Sequence, residues 1–490
     1  MLYKLSATQI REKFLSGELS AEEIVRYFLE RAKTFDKQVH GYLKLYEKRA
    51  IAKAKALDEK KKRGEKLGLL AGVPIAVKDN IQIKGEITTC ASKFLENYVA
   101  PFDATVVENI ENQDGIIIGK TNLDEFAMGA SCEYSAFGPT HNPWQLDYTP
   151  GGSSGGSAAV VSARFAPISL GSDTGGSIRQ PASFTGTVGF KSTFGRVSRN
   201  GLVAFGSSFD QIGPFTNDVE DVALIMEVLG RPCKKDATSI QTPAENYFSE
   251  IKSSIKGKKV GIPWGFVKKQ SEEIQKNFNK ALKKLTDLGV ETVEVDISLQ
   301  QYAIAVYYIL STAEASTNLA RFDGVRFGKR AKDLKNLTDL YNKSRCEGFG
   351  AEVKKRILLG TFVLSAGYQE AYYKKAQKVR TLMIKQYKKA FESCDVIALP
   401  TTPTTAFEMF SMQDPFKMYL QDACTIGANV AGLPAVSVPS GYAENKCPLG
   451  LQFLGPQMAD TEVMRFAYNF QNCSGVKGDV PPLFDKEHAS

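Results

Sequence analysis

Two clusters rich in glycine and serine, within residues 149–179, hold the side chains best suited to chemistry. The first cluster spans 151–157 and contains Ser153, and the second spans 175–177 and ends in Ser177. Glycine lets the backbone turn sharply or approach a ligand closely, and a serine hydroxyl can attack a substrate or relay a proton. The apolar run between the clusters is not typical of a flexible linker. The segment is therefore a candidate catalytic site.

Three kinds of site are compatible with these clusters. A phosphate-binding loop fits only in part, because Ser157 and Ala158 stand where its motif requires lysine followed by serine or threonine. The nucleophile elbow of α/β-hydrolases, G-x-S-x-G, matches residues 151–155, but that arrangement needs a histidine base later in the chain. The one histidine that follows is His488, in a polar tail. The third kind, a serine activated by a neutral lysine, needs no histidine.

Lys78 is the candidate base for such a serine. Residues 70–78 are apolar and rich in β-branched side chains, so the sequence predicts a buried strand that ends in this lysine. Burial disfavours the charged form of a lysine and lowers its pKa, which would allow the amine to accept a proton. A lysine whose amine reaches solvent is the commoner arrangement. The strand alone favours that commoner arrangement.

Three motifs, taken together in this order, resemble the amidase signature family. They are V-P-I-A-V-K-D-N at 73–80, G-G-S-S-G-G-S at 151–157 and G-S-D-T-G-G-S-I-R-Q-P-A at 171–182. In that family a Ser–Ser–Lys triad hydrolyses amides. The resemblance therefore implies that Ser177 is the nucleophile, Ser153 the bridging serine and Lys78 the base.

The same resemblance implies roles for residues around the triad. The peptide bond before Ser153 is expected to be cis. The backbone N–H groups expected to stabilise the oxyanion belong to Thr174, Gly175 and Gly176. Asp173 and Arg179 flank the nucleophile, and we expect them to orient its loop.

Segments outside the triad motifs resemble a narrower group in this family, the glutamine-hydrolysing subunits of tRNA-dependent amidotransferases. The segments are 307–328, 348–360, 414–415 and 418–422. The group commonly has proline where this chain has Gly427, which puts the rigidity of that loop in doubt.

Free glutamine carries one positive and one negative group, so its pocket needs both countercharges. The resemblance implies that Arg356 holds the α-carboxylate, for which a guanidinium can form a two-pronged contact. It implies that Asp422 holds the α-ammonium, with Tyr308 in the same pocket. Without the resemblance, each would be interpreted as an ordinary surface residue.

The activity that this resemblance implies is that of a glutaminase. Ammonia released from glutamine would pass to a partner in a heterotrimer with subunits B and C. That partner would use ATP and Mg²⁺ to convert Glu-tRNA(Gln) into Gln-tRNA(Gln), and this chain would need no cofactor and no metal. A stand-alone amidase acting on other small amides is the alternative.

Composition favours a large cytoplasmic enzyme. The chain has 490 residues, 43% of them hydrophobic, and a net charge of +8, which alone does not establish contact with nucleic acid. The eight cysteines are scattered and form no C-x-x-C pair, which indicates reduced thiols and no zinc site. We expect no membrane association, because the N-terminus has no apolar signal core and no run approaches the ~20 apolar residues of a spanning helix.

The predicted elements favour an α/β fold in one domain over residues 1–490, and the resemblance implies a large mixed β-sheet covered by helices on both faces. We expect N-terminal helices at 1–65, a signature core at 66–230, a helical layer at 271–391 and a return to the core sheet at 392–470. Ser6 with Gln9 and Ser20 with Glu23 fit helix capping boxes. The polar end, from about residue 475, is expected to be mobile.

Overall fold

The computed structural model describes residues 1–243 and 245–487, so His488 lies outside it. The strands are β1 (Tyr42–Leu45), β2 (Pro74–Lys78), β3 (Ile116–Thr121), β4 (Ile168–Asp173), β5 (Val188–Lys191), β6 (Gln211–Thr216), β7 (Lys259–Ile262), β8 (Glu291–Glu294), β9 (Val396–Pro400), β10 (Ala435–Tyr442) and β11 (Pro448–Leu454).

The α-helices of the described residues follow in chain order. They are α1 (Ala7–Ser16), α2 (Ala21–Val39), α3 (Glu47–Lys62), α4 (Thr105–Asn112), α5 (Gly155–Ser162), α6 (Arg179–Thr185), α7 (Val219–Leu229), α8 (Tyr247–Glu250), α9 (Trp264–Val267), α10 (Glu272–Asp287), α11 (Ala303–Asn318), α12 (Leu337–Gly348), α13 (Ala351–Leu364), α14 (Lys375–Ala390), α15 (Pro415–Leu420), α16 (Ile426–Ala431) and α17 (Asp460–Cys473).

All the described strands join one mixed sheet. Their order is β1-β3-β2-β4-β6-β5-β10-β11-β9-β7-β8. β2 lies parallel to β3 and β4 at one end, and the antiparallel pairing of β5 with β10 connects strands that are far apart in the sequence. The late strands β9, β10 and β11 lie in the same sheet as β2 and β4.

Helices cover both faces of the sheet. This burial explains why the sequence of β2 is continuously apolar. Ile75 and Val77 pack on one face against α4 and α7, whereas Ala76 belongs to the apolar cluster of the opposite face with α2. All five residues of β2 are buried. A strand buried on both faces has no polar side to alternate with the apolar one. The expected mixed sheet with helices on both faces is confirmed.

The helices of the N-terminal region begin as predicted, whereas five strands, β1, β4, β5, β6 and β8, are not predicted from the sequence. Ser6 caps α1 and Ser20 caps α2, each in a complete capping box. Two of these unpredicted strands, β1 and β8, are four residues long and form the two edges of the sheet. Three of the four β8 side chains are exposed, so this strand carries no apolar run.

The expectation of a mobile end from about residue 475 is wrong for residues 475–487. The Phe484 side chain is fully buried, and its carbonyl accepts a hydrogen bond from the buried guanidinium of Arg31. Arg31 Nη1 also donates to the Lys486 carbonyl at 2.7 Å, and Arg164 donates to the Asp479 carbonyl at 2.9 Å. Arginines distant in the sequence thus hold the tail through its backbone.

Membrane-spanning helices, metal clusters and disulfide bonds are absent from the described residues. Within them no helix is both long and apolar enough to cross a membrane. No group of three or more histidine, cysteine, aspartate or glutamate side chains is placed there to hold a metal ion. All eight cysteines are free thiols.

Replacing Phe453 with alanine tests the contribution of the late strands to the core. Phe453 is fully buried on β11 and packs against Phe466 and Phe470 of α17. The cavity should lower the free energy of unfolding by about 3–5 kcal/mol, measured as a shift of the denaturant midpoint by circular dichroism. The matched control is Phe362→Ala on the exposed face of α13, expected within about 0.5 kcal/mol of the parent. Equal effects of the two substitutions would contradict the packing.

Candidate active site

Lys78 places its amine among three serine hydroxyls. Its Nζ lies 2.8 Å from Ser153 Oγ, 2.7 Å from Ser154 Oγ and 2.9 Å from Ser172 Oγ. The side chain is fully buried, and this burial lowers the pKa of Lys78 to about 7, because the ammonium form loses its water. The solvent-exposed amine that the strand alone favours is therefore wrong. A substantial fraction of the amine is neutral near pH 7 and can accept a proton.

The turn that carries Ser153 is fixed to the elements around it. The Gly152–Ser153 peptide bond is cis, as the resemblance implied. The Gly152 N–H donates to Gln180 Oε1 at 2.9 Å, and the Asp124 N–H donates to the Ser153 carbonyl at 3.1 Å. Ser154 Oγ donates to the Ser172 carbonyl on β4 at 3.0 Å. Ser153 and Ser154, the two serines of this turn that contact the Lys78 amine, are therefore held by elements on both sides of the turn.

Ser177 lies in the turn between β4 and α6, with its hydroxyl unengaged. Within the described residues the Ser177 hydroxyl makes no hydrogen bond. The residue is 8% exposed. The structure thus joins Lys78 to Ser153, while the second half of the predicted relay, from Ser153 to Ser177, is not among its hydrogen bonds.

The N–H groups expected to stabilise the oxyanion are also unpaired. Among the described residues, none accepts a hydrogen bond from the N–H of Thr174, Gly175 or Gly176, although all three residues are buried. Buried N–H groups are rarely left without a partner. Those of this turn lie beside the predicted nucleophile, where donors can stabilise a developing negative charge.

The turn is tightly confined at Gly176. Its φ of +142° is a conformation that L side chains rarely adopt, and a Cβ there would lie 2.1 Å from Thr425 Oγ1. The same threonine hydroxyl donates to the Gly175 carbonyl at 2.8 Å, and the Thr174 hydroxyl donates to Asp210 at 2.7 Å. The turn is therefore held from both sides.

Asp173 and Arg179 form a buried ion pair across the turn. Arg179 Nε and Nη2 each lie 3.0 Å from an oxygen of Asp173, and both side chains are fully buried. Burial would raise the pKa of Asp173, but Arg179 and the amide of Asn429 hold it at about 2. Arg179 also donates to the Thr425 carbonyl at 2.9 Å and to Gln452 at 2.7 Å. The pair fixes both ends of the turn, as expected for groups that orient it.

Arg356 is a buried cation and Asp422 a buried carboxyl group, and the two make no hydrogen bond or ion pair with each other. Arg356 Nε donates to Glu352 at 2.8 Å, and its guanidinium carbon lies 5.2 Å from the ring centre of Tyr308 and 5.8 Å from that of Tyr419. The Asp422 carboxylate has no hydrogen-bond partner in the described chain. Burial raises the pKa of Asp422 to about 8, although Arg356 opposes the shift. An uncompensated carboxylate of this kind can receive a cationic group.

This pair is connected to the nucleophile turn through two short paths. The Thr425 N–H donates to the Asp422 carbonyl at 3.0 Å, and the Thr425 hydroxyl donates to Gly175. On the other side the ring of Tyr307 lies against Gly175, and it meets Tyr308 edge to face with ring centres 5.1 Å apart. The structure therefore brings the predicted triad and the predicted pocket residues into one region.

Several residues of this region were not predicted from the sequence. Ser154 and Ser172 contact the Lys78 amine, and the only signal for them is that each adjoins a predicted residue. Asp124 accepts hydrogen bonds from two backbone N–H groups, at 3.0 and 3.1 Å, and burial raises its pKa to about 6. Asp210, which holds Thr174, also has its pKa raised to about 6 by burial. Neither acid carries a local sequence signal.

Gly427 has a physical explanation in its neighbours. A Cβ at this position would lie 2.0 Å from Gln300 Oε1 and 2.3 Å from the Tyr387 hydroxyl. That hydroxyl donates to Gln300 at 2.8 Å, so the two side chains fill the space that a larger residue would need. Gly427 lies within α16 and not in a loop, and this packing accounts for a glycine at the position.

Comparison with known proteins decides the family. A model of the amidase family matches residues 23–464. The chain belongs to the amidase family. One curated relative, the A subunit of glutamyl-tRNA(Gln) amidotransferase from Protochlamydia amoebophila, is 54% identical over 486 residues and covers 99% of both chains. The A subunit of that name from Chlamydia trachomatis serovar D is 51% identical over 488 residues, again covering 99% of both.

Solved structures of amidases agree with this assignment. The crystal structure of the glutamyl-tRNA(Gln) amidotransferase A subunit from Thermotoga maritima matches with a TM-score of 0.82 and 40% identity, covering 100% of this chain and 99% of that one. A bacterial aryl acylamidase of the amidase signature family matches with a TM-score of 0.86 and 26% identity, covering 97% and 98%. The amidase signature fold expected from the motifs is confirmed.

Replacing Lys78 with arginine should abolish amide hydrolysis by this amidase. Arginine keeps the positive charge but cannot be deprotonated, so the base is lost, and general base catalysis is typically worth about 10²–10⁴-fold in rate. In the parent, kcat should fall as the pH drops through about 7, where the Lys78 amine becomes protonated. Steady-state kinetics between pH 5.5 and 9 measures both effects.

Lys191→Arg is the matched control for that substitution. Lys191 is also buried, and burial lowers its pKa to about 7, but its Nζ donates to the Ser192 carbonyl. The control should retain the pH profile of the parent. Substantial turnover by Lys78→Arg would contradict the assignment of Lys78 as the base. So would loss of the pH profile in Lys191→Arg alone.

Replacing Asp422 with asparagine should raise the KM for glutamine while sparing turnover of a small neutral amide. Loss of one partner of a desolvated charge pair costs on the order of 2–5 kcal/mol. Because Asp422 titrates at about pH 8 in the empty pocket, the KM of the parent should rise as the pH falls below that value. The asparagine variant should lack this dependence. Asp414→Asn, at an exposed helix cap, is the control, and an unchanged KM in Asp422→Asn would reject the assignment.

Proposed function

We propose that this chain is the glutaminase component of a tRNA-dependent amidotransferase. It hydrolyses glutamine and supplies ammonia for the conversion of Glu-tRNA(Gln) into Gln-tRNA(Gln) in protein synthesis. The observation that carries the proposal is the burial of one cation, Arg356, and of one carboxyl group, Asp422, which has no hydrogen-bond partner in the described chain, beside the nucleophile turn. This charge pattern is complementary to the zwitterionic end of glutamine. The full-length similarity to proteins named as the A subunit of such an enzyme supports it.

Binding of glutamine uses groups that are free in the described structure. The Nη atoms of Arg356 have no acceptor there, because only Nε is engaged, by Glu352, and they receive the α-carboxylate. The α-ammonium pairs with Asp422 and restores its ionised form. The rings of Tyr308 and Tyr419 border the guanidinium and limit where the carboxylate can lie. With the α-carbon fixed in this way, the side-chain amide extends to the turn that carries Ser177.

The chemistry begins with the neutral amine of Lys78. As Ser177 Oγ attacks the amide carbon, its proton passes through the Ser153 hydroxyl to Lys78. The carbonyl oxygen becomes an oxyanion and accepts hydrogen bonds from the N–H groups of Thr174, Gly175 and Gly176. The tetrahedral intermediate collapses, the proton returns through Ser153 to the leaving nitrogen, and ammonia departs. Water then attacks the acyl ester by the same relay, which releases glutamate and restores Ser177.

The partners of the proposed enzyme are subunits B and C, with Glu-tRNA(Gln) bound by the complex. The partner uses ATP and Mg²⁺, and this chain uses no cofactor. Ammonia released into water at neutral pH becomes ammonium, which is not a nucleophile, and an unrestrained glutaminase would waste glutamine. A closed route to the partner avoids both losses, as lids do at other sites that must exclude water. We expect the complex to act in the cytoplasm.

Measuring glutamate release in three conditions tests this proposal. They are the chain alone, the chain with subunits B and C, and the full assembly with ATP and Glu-tRNA(Gln). We expect weak activity alone and a rise of at least about tenfold in the full assembly, because partners complete and close the site. Ser177→Ala should remove activity in all three while leaving complex formation intact.

Two results would count against the proposal. Full activity in isolation on many small amides, unchanged by the other two proteins, would favour a stand-alone amidase. Near-normal turnover by Ser177→Ala would reject this serine as the nucleophile.

A further inference from the structure

The two side chains proposed to bind the charges of glutamine come from separate segments of the chain. Arg356 lies on α13, whereas Asp422 lies just after α15. The α-carboxylate and the α-ammonium of an amino acid are attached to one carbon atom, so Arg356 and Asp422 must be held at one separation to engage both groups together. Because neither contacts the other by a hydrogen bond or ion pair in the described chain, their separation depends on the contacts of neighbouring residues.

Glu352 and Tyr419 make a contact that joins these two segments. One carboxylate oxygen of Glu352, Oε1, accepts a hydrogen bond from Arg356 Nε at 2.8 Å and another from the Tyr419 hydroxyl at 3.3 Å. Glu352 lies one helical turn before Arg356 on α13, and Tyr419 belongs to α15. The bond between them thus connects the helix that carries the cation to the segment that carries the carboxyl group.

Tyr419 is also connected to Asp422 and to the wall of the pocket. Its carbonyl accepts a hydrogen bond from the Asp422 N–H at 3.3 Å. Its ring packs against that of Tyr308 on α11, with ring centres 4.1 Å apart and planes inclined by 30°. A ring packed in this way has little rotational freedom, so the hydroxyl of Tyr419 stays directed at Glu352.

Glu352 also determines which edge of the Arg356 guanidinium is free for substrate. A guanidinium is planar and presents its N–H donors in a fixed fork. Because Glu352 engages Nε, the edge formed by the two Nη atoms remains for a carboxylate. The Glu352 side chain is only 11% exposed, so water competes little for its oxygens.

We propose that Tyr419 and Glu352 are positioning residues that make this site selective for the amide of a free α-amino acid. The hydrogen bond between them holds Arg356 and Asp422 at the separation that one zwitterionic carbon requires. An amide that carries only one of the two charges uses only one of these groups, so a fixed separation does not help it to bind. This assignment rests on the proposed function and deepens it, since it names residues that set the substrate specificity.

Tyr419→Phe tests the assignment, because phenylalanine keeps the ring against Tyr308 and removes only the hydroxyl. Three substrates are compared: glutamine, glutaramate, which lacks the ammonium group, and 4-aminobutanamide, which lacks the carboxylate. Loss of a hydrogen bond to a charged group should lower kcat/KM for glutamine about tenfold, mainly through KM, and change the values for the two analogues by less than about twofold. Ammonia release is measured with the chain in complex with subunits B and C, without ATP or tRNA.

Glu352→Gln is the second variant, because it removes the charge and nearly preserves the shape. It should lower kcat/KM for glutamine and glutaramate, which both need Arg356, and spare 4-aminobutanamide. Residues that share one contact are not independent, so the combined variant should lose less activity on glutamine than the product of the two single effects. Should Tyr419→Phe fail to fold, the contrast between glutaramate and 4-aminobutanamide in Glu352→Gln decides.

Tyr442→Phe is the matched control, because the Tyr442 hydroxyl donates to the carboxylate of Asp479, outside the site. It should leave kcat/KM for all three substrates unchanged. An equal loss for all three substrates in Tyr419→Phe would indicate a merely structural role and overturn the inference, as would an unchanged preference for glutamine. A parent complex that hydrolyses either analogue faster than glutamine would instead reject the proposed function itself.

Discussion

The desolvation of the Lys78 amine is the constraint on which the rest of the site depends. The sheet buries β2 on both faces, and the groups that meet the amine are hydroxyls, which accept its hydrogen bonds without supplying a countercharge. Nearby carboxylates would raise the pKa of this amine again. Asp124 and Asp173 both oppose the lowering of this pKa, but burial outweighs them, and Asp173 is itself paired with Arg179. The ion pair beside the nucleophile thus also protects the neutrality of the base.

Lys191 shows that a lowered pKa does not by itself make a lysine a base. Both Lys78 and Lys191 are buried, and burial lowers the pKa of each to about 7. The Nζ of Lys191 donates to the Ser192 carbonyl, which has no proton to give, so a neutral amine there has nothing to deprotonate. Lys78 differs because its partners are hydroxyls. Lys78 is distinguished from Lys191 by the chemistry of its hydrogen-bond partners. A lowered pKa is necessary for a lysine base but does not suffice.

Local signals made part of this structure predictable from the sequence. The continuous apolar run of β2 follows from burial on both faces, and the capping boxes of α1 and α2 follow from neighbouring side chains. The serine clusters likewise carry their own pattern. The contacts made by Asp124 and Asp210 depend on chain segments that meet only in the folded state, as does the anchoring of residues 475–487 by Arg31. Short edge strands such as β1 also show no hydrophobic periodicity in the sequence.

Substrate recognition and the nucleophile turn are parts of one hydrogen-bonded unit. Arg179 binds the carbonyl of Thr425, whose hydroxyl holds Gly175 and whose N–H binds Asp422. The backbone of Asp422, the residue proposed to receive the substrate ammonium, is therefore linked to the turn that presents the nucleophile. The buried sheet supplies the base and the turn, whereas the charges that define the substrate come from α13 and the segment before α16. Because these segments lie outside the sheet, they can change while the turn stays fixed. This separation would let a fold shared at 26% identity with an aryl acylamidase keep a common sheet while different pocket residues select a different amide.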